Sequence, residues 1–120
     1  MFLEILKSKI HSATVTDKHI EYEGSITVDA SLMKACGLRE NEKVHVFNKN
    51  NGERFETYVI EGKAGSRVIC VNGAAARKVE AGDVVIIVAY CFMTPAEADV
   101  FSPRIIYMDS KNKIKKNAGK

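Results

Sequence analysis

Apolar and polar residues alternate with a period near two along most of this chain, a spacing that predicts short strands. Leu3, Ile5, Ile10 and Val15 recur among polar residues from Phe2 to Thr16, so this stretch reads as a strand with Lys9 and His11 on one face. Asp17-Lys18 reads as a turn. His19 to Tyr22 and Ser25 to Val28 then alternate as strand, which places the Gly24-Ser25 junction inside structure. Asp29 is a candidate N-cap for a helix through Leu32, Met33 and Cys36 that Gly37 ends in the left-handed conformation. Lys43 to Asn48 and Arg54 to Glu61 read as the arms of a hairpin, because Asn51-Gly52 between them is a strong turn signal. Alternation puts Arg54, Glu56 and Tyr58 on one face of the second arm, with Phe55, Thr57 and Val59 on the other; a local bulge would be needed to gather Arg54, Thr57 and Tyr58 at one site.

Past the loop Gly62 to Ser66, the run Arg67 to Val71 favours strand, and Asn72-Gly73 opens into a short helix over Ala74 to Lys78. Val84 to Ala89 is a continuous apolar run, as expected of a strand buried on both faces at the centre of the core. Thr94-Pro95-Ala96-Glu97 matches a capping box with proline at the first helical position, and Pro103 precedes a last strand over Arg104 to Met108. The sequence shows no internal repeat. Six or more short strands with two or three brief helices imply a mainly β fold, either a closed barrel that removes its own edges or a sandwich.

At 120 residues the chain is expected to be a single domain, 1–120. Cys36, Cys70 and Cys91 are odd in number and lack metal-ligand spacing, so they are expected to be small core hydrophobes in a reducing, cytoplasmic setting, with no metal bound. No apolar stretch is long enough to cross a membrane as a helix. The formal charge is +3, but residues 111–120 contain five lysines and no acid, which leaves the remainder slightly acidic. Those ten residues are therefore expected to form a flexible basic tail, and no nucleic-acid partner is expected.

The chemistry centres on Tyr22-Glu23-Gly24-Ser25. A serine hydroxyl can attack the carbonyl of the preceding residue and turn an amide into an ester where neighbours hold the oxygen and stabilise the oxyanion. Gly24, without a side chain, suits a strained backbone that exposes its carbonyl. By itself Gly-Ser commonly marks only a kink or bulge. The helix opening at Asn72-Gly73 offers unpaired N–H groups to a carboxylate, although a plain strand-to-helix turn is the commoner use.

Lys9, His11, Tyr22-Glu23-Gly24-Ser25, Asn51-Gly52 with Arg54, Thr57-Tyr58, Val71-Asn72-Gly73-Ala74-Ala75-Ala76 and Gly82-Asp83 together resemble the aspartate 1-decarboxylase family, from about Lys9 to Tyr107. The resemblance implies a small six-stranded double-psi β-barrel, a homotetramer with sites at subunit interfaces, and a proenzyme that cuts itself into residues 1–24 and 25–120. Ser25 would become a covalently bound pyruvoyl group, with no pyridoxal phosphate. Thr57 would donate to the oxyanion during maturation, with or without a maturation factor. The pyruvoyl would form a Schiff base with L-aspartate and accept electrons as CO2 leaves, giving β-alanine for pantothenate and coenzyme A synthesis. Arg54 and Lys9 would hold substrate carboxylate, with Thr57 also at the substrate. Tyr58 would return the proton to the α-carbon. The backbone of Gly73, Ala74 and Ala75 would contact substrate, and Asn72 would orient groups nearby. The roles of His11 and Tyr22 are open, and Phe47 stands where the family often has tryptophan. The competing expectation is an uncleaved β-barrel serving as a binding or scaffold module.

Overall fold

β1 (Leu3–Thr14) and β2 (Asp17–His19) form almost one continuous ribbon that serves two different neighbours. In the computed structural model, which describes residues 1–118, the ribbon's first part pairs antiparallel with β7 (Val84–Met93) and parallel with β8 (Arg104–Met108). Its second part pairs parallel with β6 (Ile69–Asn72), and the Thr16 amide donates to the Ile69 carbonyl at 2.8 Å to bridge the two. Asp17-Lys18 is thus strand, not turn. The turn falls later, over residues 20–22, where the Tyr22 amide reaches the His19 carbonyl at 3.3 Å. Gly24 consequently lies outside regular structure, and Ser25 opens β3 (Ser25–Asp29).

β3 pairs antiparallel with β6 and parallel with β5 (Arg54–Gly62); β5 pairs with β4 (Lys43–Asn48), and β4 with β7. Because β2 continues β1, this order closes a six-stranded ring, with β1 and β2 counted as one. Its halves correspond: β1/β2, β3, α1 (Ala30–Cys36) and β4 in the first; β5, β6, a 3-10 helix (Gly73–Lys78) and β7 in the second. Each half lays its second strand parallel to the first strand of the other, the interlocking of a double-psi barrel. Alternate side chains of the ring point inward, and Ile10, Ile26, Val28, Val44, Val46, Val59, Ile69, Val71, Val85 and Ile87 are fully buried there. On β7, Val84 and Ile86 are only half-buried, so burial on both faces begins at Ile87 to Ala89.

The local signals mostly hold. The Asp29 side chain accepts from the Ser31 amide, and Gly37 ends α1 at φ +79°. Thr94 and Glu97 form a reciprocal capping box on α2 (Pro95–Val100). The β4–β5 connection spans residues 49–53, longer than a two-residue turn, and is held by the Asn48 amide on the Glu53 carbonyl at 2.9 Å. No bulge on β5 gathers Arg54, Thr57 and Tyr58: Arg54 to Tyr58 pair with Phe47 to Lys43 in unbroken register. Arg67 lies at φ +63° with its amide on Asp29, so β6 starts only at Ile69. Cys36 and Cys70 are buried as expected, whereas Cys91 is half-buried.

The basic tail is the largest difference. Residues 114–118 form β9 (Ile114–Ala118), antiparallel to β8, and Asn112 is buried with its side-chain amide on the Thr14 and Arg67 carbonyls. Residues 119 and 120 of the expected tail lie outside the described residues. Among those described, no helix is long and apolar enough to cross a membrane.

Candidate active site

Ser25 is the first residue of β3, opposite Asn72 at the end of β6. Since Ile26 and Val71 point into the core, Ser25, Thr27, Cys70 and Asn72 share the outward face. Ser25 and Asn72 are nonetheless each only 2% exposed. The Asn72 side-chain amide donates to Ser25 Oγ and to Thr27 Oγ1, both at 3.0 Å, while its oxygen accepts from Cys70 Sγ at 3.4 Å. Both amide hydrogens are thereby committed and the orientation of Asn72 is fixed. The Ser25 hydroxyl donates to the Glu23 carbonyl at 3.3 Å. Asn72 makes no side-chain cap to the 3-10 helix that follows.

Gly73 sits at φ +78°, and a β-carbon there would lie 2.6 Å from Gly24 Cα, 2.8 Å from Gly24 N and 3.2 Å from the Tyr22 carbonyl oxygen. The need for glycine falls on Gly73, which must let one backbone lie against another. Gly24 itself has open space around a β-carbon position and is not in the left-handed region, so the strain anticipated there is not seen in that form.

The parallel ladder between β3 and β5 starts at Ile26 opposite Val59, so Thr57 and Tyr58 stand just before it on β5, as Gly24 and Ser25 do on the segment that enters β3. Tyr58 is on the outward, exposed face with Ser25; Thr57 is half-buried on the other. Ala74 is exposed and Ala75 half-buried just beyond Gly73. Beside the junction a groove of about 600 Å³ is lined by Tyr22, Thr27, Asn72, Asp17, His19 and Glu21. The His19 ring lies 3.3 Å from the Asp17 carboxylate there.

The remaining candidates lie elsewhere on the single chain. Arg54 is four residues from Tyr58 along an unbulged strand, about 13 Å at the usual strand rise, and its guanidinium covers the Phe47 ring at 4.2 Å. Lys9 and His11 are on β1, which does not neighbour β3 or β5 in the ring. His11 lies at a register shift between Ile10 and Ala13, with Ser12 at φ +67°, a bulge that re-aims its ring to within 5.5 Å of Tyr107. Its Nδ1 is buried without a hydrogen-bond partner. Burial, followed by the positive charges of Lys9, Lys49 and Lys115, pushes its pKa below the usual histidine value. One chain thus gathers Ser25, Asn72 and Gly73 around Gly24, sets Thr57 and Tyr58 on the strand next to β3, and leaves Arg54 and the Lys9–His11 pair in two other places.

The aspartate decarboxylase family model matches residues 1–115. The chain belongs to the aspartate decarboxylase family. An aspartate 1-decarboxylase of Caldicellulosiruptor bescii is 61% identical over 114 residues, covering 95% of this chain and 89% of the relative. One from Caldicellulosiruptor saccharolyticus is 58% identical over the whole chain and 94% of the relative, and one from Acetivibrio thermocellus is 54% identical over 95% and 90%. A rationally designed protein, mkDPBB_sym_86, aligns in structure at a TM-score of 0.48 and 15% identity, over 66% of this chain and 91% of that one; the barrel assignment rests on the strand pairing itself. Membership in the aspartate decarboxylase family makes this chain a decarboxylase rather than a binding module. Sequence alone pointed to Ser25 and Asn72. It missed that Thr27 and Cys70 hold Asn72 in place, although their period-two spacing from Ser25 and Asn72 carried that information.

Proposed function

We propose that this chain decarboxylates L-aspartate to β-alanine and CO2 through a pyruvoyl group made from Ser25, after cleavage of its own Gly24–Ser25 bond, and that the β-alanine feeds pantothenate and coenzyme A synthesis. The observation that carries the reading is the buried Ser25 hydroxyl, fixed by Asn72 beside an exposed glycine whose backbone Gly73 holds from the other side. Ser25 Oγ attacks the Gly24 carbonyl carbon; a C–O bond replaces the Gly24–Ser25 C–N bond, and the hydroxyl proton ends on the freed nitrogen. Asn72 steadies the oxygen as charge develops on it. Thr57, on the strand next to β3 and just before the start of their ladder, donates its hydroxyl to the developing oxyanion.

The site fits a pyruvoyl group: position 25 starts a strand on a face already supplied with a donor amide, and the space beyond Gly24 is open. Such a group supplies an electron sink for carbon–carbon cleavage. Tyr58, exposed on the outward face of β5, returns a proton to the α-carbon. Arg54 and Lys9 hold substrate carboxylates, Arg54 with a planar fork that pairs with a carboxylate through two parallel hydrogen bonds. Their distance from Ser25 within one chain supports a homotetramer whose sites lie between subunits, each completed by another copy.

Denaturing intact-mass measurement of the purified chain tests this. Two fragments meeting at Gly24 and Ser25 are expected, the larger lacking the mass of ammonia relative to its serine-ended form, together with β-alanine from aspartate. Ser25→Ala should give one uncut, inactive chain. A wild-type chain that stays whole but forms β-alanine would overturn the pyruvoyl route, and a cut chain with no turnover of aspartate would overturn the substrate. If cutting requires cell extract, a maturation factor takes part.

A further inference from the structure

On the opposite side of β1 from Lys9 and away from the Ser25 junction, a pocket of about 370 Å³ opens between β1, β8 and the end of α1. Its size is at the lower end of the range that holds a small organic ligand. Lys7, Ser8, Gly37, Arg104 and the pair Val100-Phe101 line it. Ser8 is only 1% exposed, and its Oγ has no hydrogen-bond partner. A buried hydroxyl left in that state is destabilising, so a group on a ligand that could bond to it would gain more than at an exposed serine.

The charges around this hydroxyl are unbalanced. Ser8 and Arg104 are directly paired across the parallel β1–β8 ladder. Gly37 marks where they converge: a β-carbon built there would stand 3.3 Å from Arg104 Nη1 and 3.7 Å from Ser8 Oγ. Lys7 Nζ donates to the Gly37 carbonyl at 2.6 Å and lies 3.1 Å from a Glu42 carboxylate oxygen, so its charge is matched. Arg104 makes no ion pair among the described residues. Two cations against one carboxylate leave a single positive charge, which suits a monoanion better than a phosphate dianion. The planar guanidinium fork matches a carboxylate. Val100, 87% exposed, and Phe101 form an apolar rim beside it.

We propose that this pocket is a second ligand site that takes a small monocarboxylate with a short apolar chain, its carboxylate on Arg104 and the Ser8 hydroxyl and its chain against Val100 and Phe101. The site is separate from the residues that act on aspartate, and it does not depend on cleavage at Ser25.

The test is ¹⁹F NMR of 4,4,4-trifluorobutyrate with the purified full chain in the assembly it adopts, with unlabelled butyrate and inorganic phosphate as competitors. Saturable binding displaced by butyrate is expected. Arg104→Gln should weaken it about tenfold or more and Ser8→Ala about threefold, the losses usual for a charge-assisted and a neutral hydrogen bond. Arg104→Lys should recover only part. The amide ¹H–¹⁵N spectrum of each variant, together with uncut or cut mass and aspartate turnover like wild type, separates lost binding from lost folding. Absence of saturable binding, binding unchanged in Arg104→Gln, or displacement by phosphate and not by butyrate would each overturn the proposal.

Discussion

Gly73 illustrates how one residue can constrain a site without contributing a side chain. Its left-handed φ alone disfavours any other residue by about 1–2 kcal/mol. A methyl there would press on backbone atoms of Gly24, not on the end of a flexible side chain, adding about 1–3 kcal/mol of overpacking. Gly73→Ala is therefore expected to lower stability by roughly 2–5 kcal/mol in urea unfolding and to slow or stop cleavage at Gly24, read by denaturing mass. Asn72→Ala should act differently. It frees Ser25 and Thr27 and removes the donor from Ser25 Oγ, so cleavage should slow at least tenfold while the fold stays intact by circular dichroism. Ser25 and Asn72 were legible in the sequence because each sits at a marked junction. The demand on Gly73 was not, since it comes from Gly24, 49 positions away in the chain.

At the scale of elements, Asp29 does more than cap α1. Buried at the end of β3, its carboxylate accepts from the Ser31 amide and hydroxyl and from the Gly65 and Arg67 amides, and so clamps the loop before β6. Burial pushes its pKa up, but the hydrogen bonds from Ser31, Arg67 and Gly65 outweigh this and hold it below the usual aspartate value. A depressed folded-state pKa means that the stabilisation is complete above the unfolded value and disappears as pH falls through the folded one. Wild type should therefore lose urea resistance more steeply than Asp29→Asn between about pH 5 and pH 3, and Asp29→Asn should already be weaker near neutral pH by about 2 kcal/mol. The cap was readable from Asp29 and the helix pattern after it; the clamp was not, because Gly65 and Arg67 offer backbone amides, which carry no sequence signature. β2 and β9 were hidden for a related reason. Asp17, Lys18 and the lysines of β9 look like solvated residues, and they are; what makes them strand is backbone pairing to β6 and β8. Every residue of β9 is exposed. Ending the chain after Lys113 should accordingly cost no more than about 1 kcal/mol in urea unfolding, whereas Asn112→Ala, which leaves the Thr14 amide and two carbonyls unbonded, should cost about 1–3 kcal/mol.

At the scale of the molecule, the closed barrel followed from many short alternating runs, but its two-fold correspondence did not, because the halves share strand order and not residues. The proposed cut falls within the first half, and this has a thermodynamic outcome. Residues 1–24 carry β1 and β2, which together hold β7, β8 and β6. Opened between Gly24 and Ser25, the barrel becomes a complex of two molecules whose larger member lacks one stave. Its unfolding then releases a peptide into solution, and mass action applies where chain connectivity did before. The cleaved protein should show a urea midpoint that rises more with protein concentration than that of uncut Ser25→Ala, and once denatured and diluted it should refold more slowly than the uncut chain. A synthetic peptide of residues 1–24, added in excess, should restore the rate. The N-terminal segment would then behave as a tightly held subunit, which the protein has to fold around before it gives up the covalent link.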